Sequence, residues 1–174
     1  MDKNRNIVLI GMSGAGKSTL GVLLAKALGK SFIDTDILIQ QGEGRLLQQI
    51  IDEDGTERFM AIEERIVSSM SVENSVIATG GSVVYSDRAM EALGENGICV
   101  YLRVDFSELS ERISNITTRG IVFKNAGSLK EVYLERLPLY ERYADITVNC
   151  TGRSVEESVN EILTALTKTP QSLP

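Results

Sequence analysis

Histidine is absent from this 174-residue sequence, and cysteine and proline are scarce, with two and three residues. Without an imidazole, acid–base chemistry must rest on carboxylate, lysine, tyrosine or cysteine side chains, and histidine metal ligation is excluded. Cys99 and Cys150 lie in or beside apolar, strand-like runs. We interpret them as reduced, buried thiols of a cytoplasmic protein rather than as a disulfide or a metal site.

Long apolar runs and a positive charge balance are also missing. No run approaches the length of about 18 residues that a membrane-spanning helix needs, so we expect no membrane span. The first residues, MDKNRN, lead directly into a strand-like run, so we also expect no signal peptide. The formal net charge of −6 argues against a nucleic-acid or anionic-membrane surface. Anionic ligands must therefore be held by a few well-placed Arg and Lys residues, and we expect a monomer.

A glycine-rich stretch near the start carries the strongest chemical information. Residues 6–20 read NIVLIGMSGAGKSTL, which is an apolar run, a loop and the beginning of a helical pattern. The stretch fits G-x-x-x-x-G-K-[ST] between a strand and a helix, which is the context of a phosphate-binding loop (P-loop). Its glycines let successive backbone N–H groups face phosphate oxygens, and the helix adds the positive end of its dipole. We therefore predict a nucleoside-triphosphate site, rather than a turn without function, at Gly11, Ser13, Gly14, Ala15, Gly16, Lys17, Ser18 and Thr19.

Charged and hydroxyl side chains beside this loop predict phosphoryl transfer. Lys17 is expected to place its ammonium against the β- and γ-phosphates, and Ser18 to offer its hydroxyl to Mg²⁺. Asp34 and Asp36 follow a second strand, and strand alternation would point both the same way if the strand persisted. One carboxylate would hold Mg²⁺ and the other would orient or deprotonate an acceptor hydroxyl. The plainer alternative is a helix cap followed by a solvated carboxylate.

Strand-like and helical segments alternate along the whole chain. The predicted strands are residues 7–10, 31–33, 75–78, 98–102 and 146–148, and a helix is predicted over 129–143 with a kink or break at Pro138. This order predicts one domain over residues 1–174, with a three-layer αβα, P-loop NTPase-like fold and a five-stranded, mostly parallel sheet. Because ligands bind at the carboxyl ends of such strands, the polar residues that follow them should converge on one cleft.

Three further features belong to that cleft by the same reasoning. Gly80 and Gly81 follow a strand, where bare backbone permits close approach of a second substrate, although a plain turn is the alternative. Arg119 lies in a polar segment, residues 114–127, that we interpret as a mobile lid able to bring a cation over the phosphates. A solvated arginine is the alternative there. Arg136 could hold a carboxylate or face water.

Together these motifs resemble the shikimate kinase family. The matching stretches, in chain order, are GMSGAGKST, FIDTD, DGTERFMAIEE, ATGGSVV, a loop arginine and RLPLYERYAD, and the likeness extends from about residue 7 to residue 166. The resemblance implies transfer of the γ-phosphate of ATP, with Mg²⁺ as cofactor, to a ring hydroxyl of a small cyclic acid in aromatic amino-acid biosynthesis.

The resemblance also implies a role for each matching acceptor-side position. Asp34 would serve the metal, and Asp36 would bind and activate the acceptor hydroxyl. Gly80 and Gly81 would line the acceptor pocket, and Arg136 would hold the acceptor's carboxylate.

On the nucleotide side, the resemblance makes Arg119 the lid arginine of residues 114–127. Arg112 and the turn around Arg153 would flank the adenine. On the acceptor side, the helical region of residues 37–71 would bind the acceptor.

The sequence departs from the family pattern at two positions on the acceptor side and at one position beside the lid arginine. Met60 stands where the family has an arginine that shares the acceptor's carboxylate with Arg136. Ser82 replaces the third glycine of the pocket run, and Gly120 replaces a proline. Glu63, which matches an acidic position that would pair with the missing arginine, is retained. We therefore expect an intact nucleotide half and an altered acceptor half, with Met60 and Ser82 at the acceptor.

Two alternatives to a shikimate-phosphorylating enzyme stay open on the sequence alone. The first keeps the chemistry but uses a related cyclic polyol or amine as acceptor. The second is a non-catalytic nucleotide-binding module, although such a module would not need the acceptor base that Asp36 is expected to supply.

Overall fold

The computed structural model of this chain describes residues 4–114, 122 and 127–168. Strands and helices alternate along most of the chain, as the sequence predicts. The elements, in chain order, are β1 Asn6–Ile10, α1 Lys17–Leu28, β2 Ser31–Asp34, α2 Thr35–Glu43, α3 Leu47–Asp54, α4 Thr56–Ser68, β3 Ser75–Ala78, a 3₁₀ turn Val83–Tyr85, α5 Asp87–Glu95, β4 Gly97–Arg103, α6 Phe106–Ser114, α7 Leu129–Tyr143, β5 Ile146–Asn149 and α8 Val155–Lys168.

The five strands form one sheet in the order β2-β3-β1-β4-β5, and every neighbouring pair is parallel. β1 lies at the centre, where Ile7 is in register with Val76 of β3 and Ile98 of β4. All residues of β1 and β3 are buried, so helices must cover both faces of the sheet. The predicted three-layer α/β fold is confirmed, and the loop that follows β1 lies at the middle of the carboxyl edge.

The main hydrophobic core joins the sheet to the helices on its two faces. α1 packs against α8, and α5 packs against β4. Leu24 of α1, Val100 of β4 and Tyr140 of α7 are all fully buried in this core. The strand and the helix that flank the loop are therefore held rigidly by most of the molecule's apolar side chains.

A second, smaller core lies under α2, α3 and α4. It consists of five buried side chains, with Met60 and a few other apolar residues packed against them. Its buried members are Ile39, Ile50, Phe59, Ile62 and Val122. This small core fixes the helical region that the sequence assigns to the acceptor, and it is separate from the core of the sheet.

The helix α7 continues through Pro138, so the predicted break does not occur. A proline removes one helical N–H, whose partner would be the carbonyl four residues earlier, at Leu134. Leu134 is 56% exposed and Pro138 is also exposed, so water can serve that carbonyl. Within the described residues, no helix has both the length and the apolar character needed to cross a membrane.

Candidate active site

The loop between β1 and α1 has the backbone of an anion cradle. Gly14 and Gly16 adopt positive φ values of 86° and 91°, which only glycine takes up without strain. Gly16 is the N-cap of α1 and offers no side chain there, so the positive helix terminus opens directly onto the loop. Thr19 lies in the first turn of the helix and is exposed. The geometry agrees with the predicted nucleotide loop.

Lys17 is buried at the base of this loop. Its ammonium donates to the carbonyl oxygens of Gly11 at 2.6 Å and Met12 at 2.9 Å, and the residue is only 7% exposed. These contacts hold one positive charge beside the backbone N–H groups that would receive phosphate oxygens. The side chain is thus oriented by its own loop.

The local structure that places Asp34 and Asp36 at the cleft differs from the predicted strand. The strand does not persist, since β2 ends at Asp34 and Thr35 begins α2. Asp34 is the N-cap of α2, and its Oδ1 accepts a hydrogen bond from the backbone N–H of Asp36 at 3.0 Å. A capping aspartate therefore turns the chain so that both carboxylates line the same cleft. The alternation argument required a strand that persists, so it does not apply. Asp34 is a helix cap, as in the alternative, and both side chains line the cleft.

The wall opposite these carboxylates is the turn after β3. The backbone N–H of Gly80 donates to Oγ1 of Thr35 at 3.1 Å, which ties the turn to the start of α2. A Cβ atom on Gly81 would lie 3.0 Å from Oγ of Ser13 and 3.1 Å from Nη1 of Arg136. A side chain there would push its neighbours apart, so Gly81 lets the phosphate loop and α7 approach the turn closely.

These elements enclose one cleft of about 210 Å³. Its lining combines the phosphate loop, the end of β2, the start of α2 and the turn after β3. The polar and glycine residues that line it are Ser13, Lys17, Ser18, Asp34, Asp36, Gln40, Thr79, Gly80, Gly81 and Ser82. The structure therefore brings many of the predicted phosphate, metal and acceptor residues together, but Arg136 and Met60 do not line this cleft.

Arg136 lies directly behind the Gly81 wall and is 1% exposed. Its Nη2 donates to the carbonyl of Val122 at 2.5 Å, and its Nε donates to the hydroxyl of Tyr85 at 3.2 Å. The guanidinium also lies over the Tyr85 ring, 5.0 Å from its centroid. Its predicted role, holding an acceptor's carboxylate, stays a prediction, because the side chain is buried behind the cleft lining in this conformation.

Tyr140 of α7 also supports the turn that contains Gly81. Its hydroxyl donates to the carbonyl of Gly81 at 2.6 Å, and its ring stacks on Tyr101 of β4 with centroids 5.1 Å apart. Burial raises the pKa of Tyr140, so the hydroxyl stays a neutral donor. The turn is therefore anchored to the main core.

Glu63 of α4 is buried beside the cleft at 2% exposure. Its Oε2 accepts a hydrogen bond from the hydroxyl of Ser82 at 2.6 Å. A Cβ atom on Gly80 would collide with its Oε1 and lie 3.0 Å from Oδ1 of Asp36, so the two carboxyl groups approach one point. Burial raises the pKa of Glu63 to about 7; Asp36 adds to this rise, whereas the hydrogen bond from Ser82 opposes it.

Met60 lies next to the cleft rather than in it. The residue is half-buried and packs against the second core. It lines a neighbouring cavity of about 250 Å³ together with Glu63 and Ser82. The predicted contact of Met60 with the acceptor therefore stays a prediction, and Phe59 is the α4 residue that lines the main cleft.

The two arginines expected at the adenine have different partners in the structure. Arg112 of α6 donates from Nη1 to the carbonyl of Gly14 at 3.2 Å and pairs with Glu108. The same Glu108 accepts a hydrogen bond from the N–H of Gly152 at 2.8 Å, which joins the phosphate loop to the turn before α8. Arg153 instead pairs with Glu161 at 2.7 Å. Both roles at the adenine stay predictions.

Arg119 and most of the predicted lid lie outside the described residues, so their expected roles stay predictions. Sequence reasoning also missed several supports of the site. Thr35 and Tyr140 bond the backbone of the glycine turn, and the pairing of Ser82 with Glu63 links two positions that the sequence singled out separately. No local pattern could have linked them, because these contacts join residues distant in sequence.

The fold and the cleft define a phosphotransferase of the P-loop class, and comparisons with known proteins agree. The shikimate kinase family model matches residues 13–167. A shikimate kinase of Persephonella marina is 36% identical over 160 residues, which cover 91% of this chain and 97% of that protein. One of Francisella tularensis subsp. holarctica is 38% identical over 170 residues, which cover 95% of this chain and 97% of that protein.

Solved structures give the same result. Shikimate kinase from Acinetobacter baumannii, in complex with shikimate, superposes with a TM-score of 0.84 at 28% identity, covering 94% of this chain and 93% of that chain. Shikimate kinase from Aquifex aeolicus superposes with a TM-score of 0.77 at 31% identity, covering 93% and 96%. This chain belongs to the shikimate kinase family and is a kinase.

Proposed function

We propose that this chain transfers the γ-phosphate of ATP to a ring hydroxyl of shikimate, as a monomer in the cytoplasm. The observation that carries the proposal is the single cleft lined by Lys17, Asp34, Asp36 and the Gly80–Gly81 turn. Such a transfer needs a loop that binds phosphate, a carboxylate that can hold Mg²⁺, a base for the acceptor hydroxyl and space for the acceptor beside the backbone.

On the phosphate side, the loop N–H groups and Lys17 bind the triphosphate and stabilise the charge that develops on the transferred group. Ser18 and Asp34 both line the cleft and supply the hard oxygen donors that Mg²⁺ prefers, so they fit this ion and would hold it. Mg²⁺, when bound, would neutralise phosphate charge. Arg112 and Arg153 would flank the adenine, and Arg119 would place a further cation over the phosphates.

On the acceptor side, Asp36 accepts the proton of the attacking hydroxyl and aligns that oxygen with the γ-phosphate. Its place in the first turn of α2 is fixed by the Asp34 cap. Gly80 and Gly81 let the acceptor ring approach closely, and Arg136, directly behind Gly81, would attract the acceptor's carboxylate.

A second acceptor is favoured by Met60 and by the pairing of Ser82 with Glu63. Because the family arginine is absent, a carboxylate has one fewer partner here than the family pattern supplies. A cyclic polyol or amine with the same reacting hydroxyl would lose nothing by this change.

The test is a turnover assay with ATP, Mg²⁺ and a panel of cyclic acceptors, namely shikimate, its primary amide, a carboxylate-free polyol and an amine analogue. We expect phosphorylation of shikimate that disappears in Lys17→Ala. Phosphorylation of another acceptor alone would favour the second candidate. Tight ATP binding without turnover of any acceptor would indicate a non-catalytic module and contradict the proposal.

A further inference from the structure

Glu63 is a buried carboxyl group that the proposed reaction does not use. It is 2% exposed, and Ser82 gives it one hydrogen bond, to Oε2. Among the described residues, Oε1 has no hydrogen-bond partner and no cation forms a salt bridge with Glu63. A buried carboxylate that lacks a cation keeps its charge effective over several ångströms, because the surroundings screen it weakly.

This group lies immediately behind the acceptor wall. Its Oε1 abuts the position that a Gly80 side chain would occupy, and Ser82, which fixes Oε2, lines the cleft itself. The nearest cations, Lys17 and Arg136, hydrogen-bond to backbone carbonyls of the phosphate loop and of Val122, and their positive charges offset part of the charge of Glu63. The part of the field of Glu63 that these cations leave uncompensated reaches an acceptor that lies against the Gly80–Ser82 wall.

The two departures at Met60 and Ser82 act on this one carboxyl group. Residues 60 and 63 are three apart on α4, which is the spacing at which an arginine and a glutamate pair on one helix face. With methionine at 60, that neutralising cation is missing. The hydroxyl at 82 supplies a hydrogen bond in its place but supplies no positive charge.

We propose that Glu63, oriented by Ser82, is a specificity-determining residue that disfavours an acceptor carboxylate and favours an uncharged or cationic group at the Gly80–Ser82 wall. The inference rests on the proposed function, and it names the acceptor chemistry that this particular site selects. Glu63 acts through its charge and position and has no part in moving the phosphoryl group, so it is a positioning residue rather than a catalytic one.

The test compares two acceptors that differ only in charge, shikimate and its primary amide, in wild type and Glu63→Gln at pH 8. The readout is the acid-to-amide ratio of kcat/KM, in which any change in the common chemical step cancels. A unit charge acting over 6–8 Å at an effective dielectric constant near 20 changes binding by roughly 30- to 100-fold. We expect Glu63→Gln to raise the ratio by at least about tenfold after partial screening.

Two further variants separate charge from structure. Glu63→Met removes the charge without adding a buried polar group, and it should raise the ratio in the same direction. Glu64→Gln is the matched control, because its side chain is 39% exposed and bonded to Ser86 at 2.7 Å. It should leave the ratio within about twofold, as expected for a screened surface charge.

An unchanged ratio in both Glu63 variants, with shikimate still phosphorylated, would overturn this inference and leave the proposed function standing. Dissociation constants of the two acceptors, measured by calorimetry, give the same ratio without turnover. Failure of wild type to bind either acceptor would overturn both proposals.

Discussion

The two sides of the cleft are built differently. The nucleotide side is a backbone loop between β1 and α1, and both elements are anchored in the large core of the sheet. The acceptor side combines side chains of α2, α3 and α4, which lie over a core of five buried residues, with the turn after β3, which Tyr140 anchors to the main core. A backbone cradle depends on few side chains, whereas a pocket lined by helix side chains can change its chemistry with one substitution.

Two of the three departures from the family pattern, Met60 and Ser82, follow this difference. On the nucleotide side, the loop, Lys17 and Ser18 agree with the motif in sequence and geometry. On the acceptor side, Met60 and Ser82 line the same cavity as Glu63, and Ser82 also hydrogen-bonds to it. We therefore propose that the chemistry is retained on one side and that acceptor recognition is altered on the other, and each prediction tests one side.

The largest effect is expected on the nucleotide side. Lys17→Ala should lower kcat/KM by roughly 10³-fold or more, because the phosphate clamp is electrostatic and Lys17 is its buried cation. Lys26→Ala, at an exposed position of the same helix, should have no effect. The measurement is steady-state kinetics on both variants, and near-normal activity of Lys17→Ala would show that the loop is not the catalytic phosphate site.

The carboxylate pair lies where the two sides meet. Asp36→Asn should lower kcat by on the order of 10² or more with ATP affinity roughly unchanged, as for loss of a positioned base. Asp34→Asn should instead raise the Mg²⁺ concentration needed for half-maximal activity. Kinetics against Mg²⁺ and calorimetric ATP binding separate the two effects. If the phenotypes are exchanged, the roles of the pair are reversed.

The nucleotide side was largely predictable from sequence, because its information is local. The run 6–20 specifies a strand, a glycine loop and a helix within one short segment, and the structure has all three. The parallel sheet and the convergence of three strand ends follow from the alternation of elements, whereas the strand order does not.

The acceptor side was less predictable, because its contacts are distant in sequence or depend on exact helix ends. The pairing of Ser82 with Glu63 and the bond from Tyr140 to Gly81 join separate elements. The alternation argument for Asp34 and Asp36 did not apply, because the strand ends at Asp34 and this residue caps a helix, which was the alternative left open. Pro138 did not break α7. It lies on an exposed face of the helix, where water can serve the carbonyl that loses its helical partner.

The pH dependence of protein stability tests the buried Glu63 of the acceptor side without any substrate. The pKa of Glu63 rises from 4.5 to about 7 on folding, so the folded state holds the proton more tightly. The free energy of unfolding therefore falls as pH rises from 4.5 towards 7, by up to about 3 kcal/mol, and stays low above that range. Glu63→Gln should remove this loss.

Thermal unfolding of wild type and Glu63→Gln at pH 4.5 and pH 8 checks this expectation. Equal Tm values at the lower pH and a Tm higher by up to about 10 °C for the variant at pH 8 are expected. Glu64→Gln should behave as wild type at both. A lower Tm for Glu63→Gln at pH 8 would mean that the carboxylate is stabilised by a group not recognised above.

The central claim, an intact nucleotide half beside an altered acceptor half, is tested most directly by saturation kinetics of wild type and Met60→Arg. A restored guanidinium adds a charge-assisted contact of about 1.5–3 kcal/mol. We therefore expect KM for shikimate to fall at least about tenfold while KM for ATP stays within about twofold, and the uncharged control Met60→Gln to lack the gain. A shikimate KM that Met60→Arg fails to lower would show that another group already holds the carboxylate, and would contradict the account.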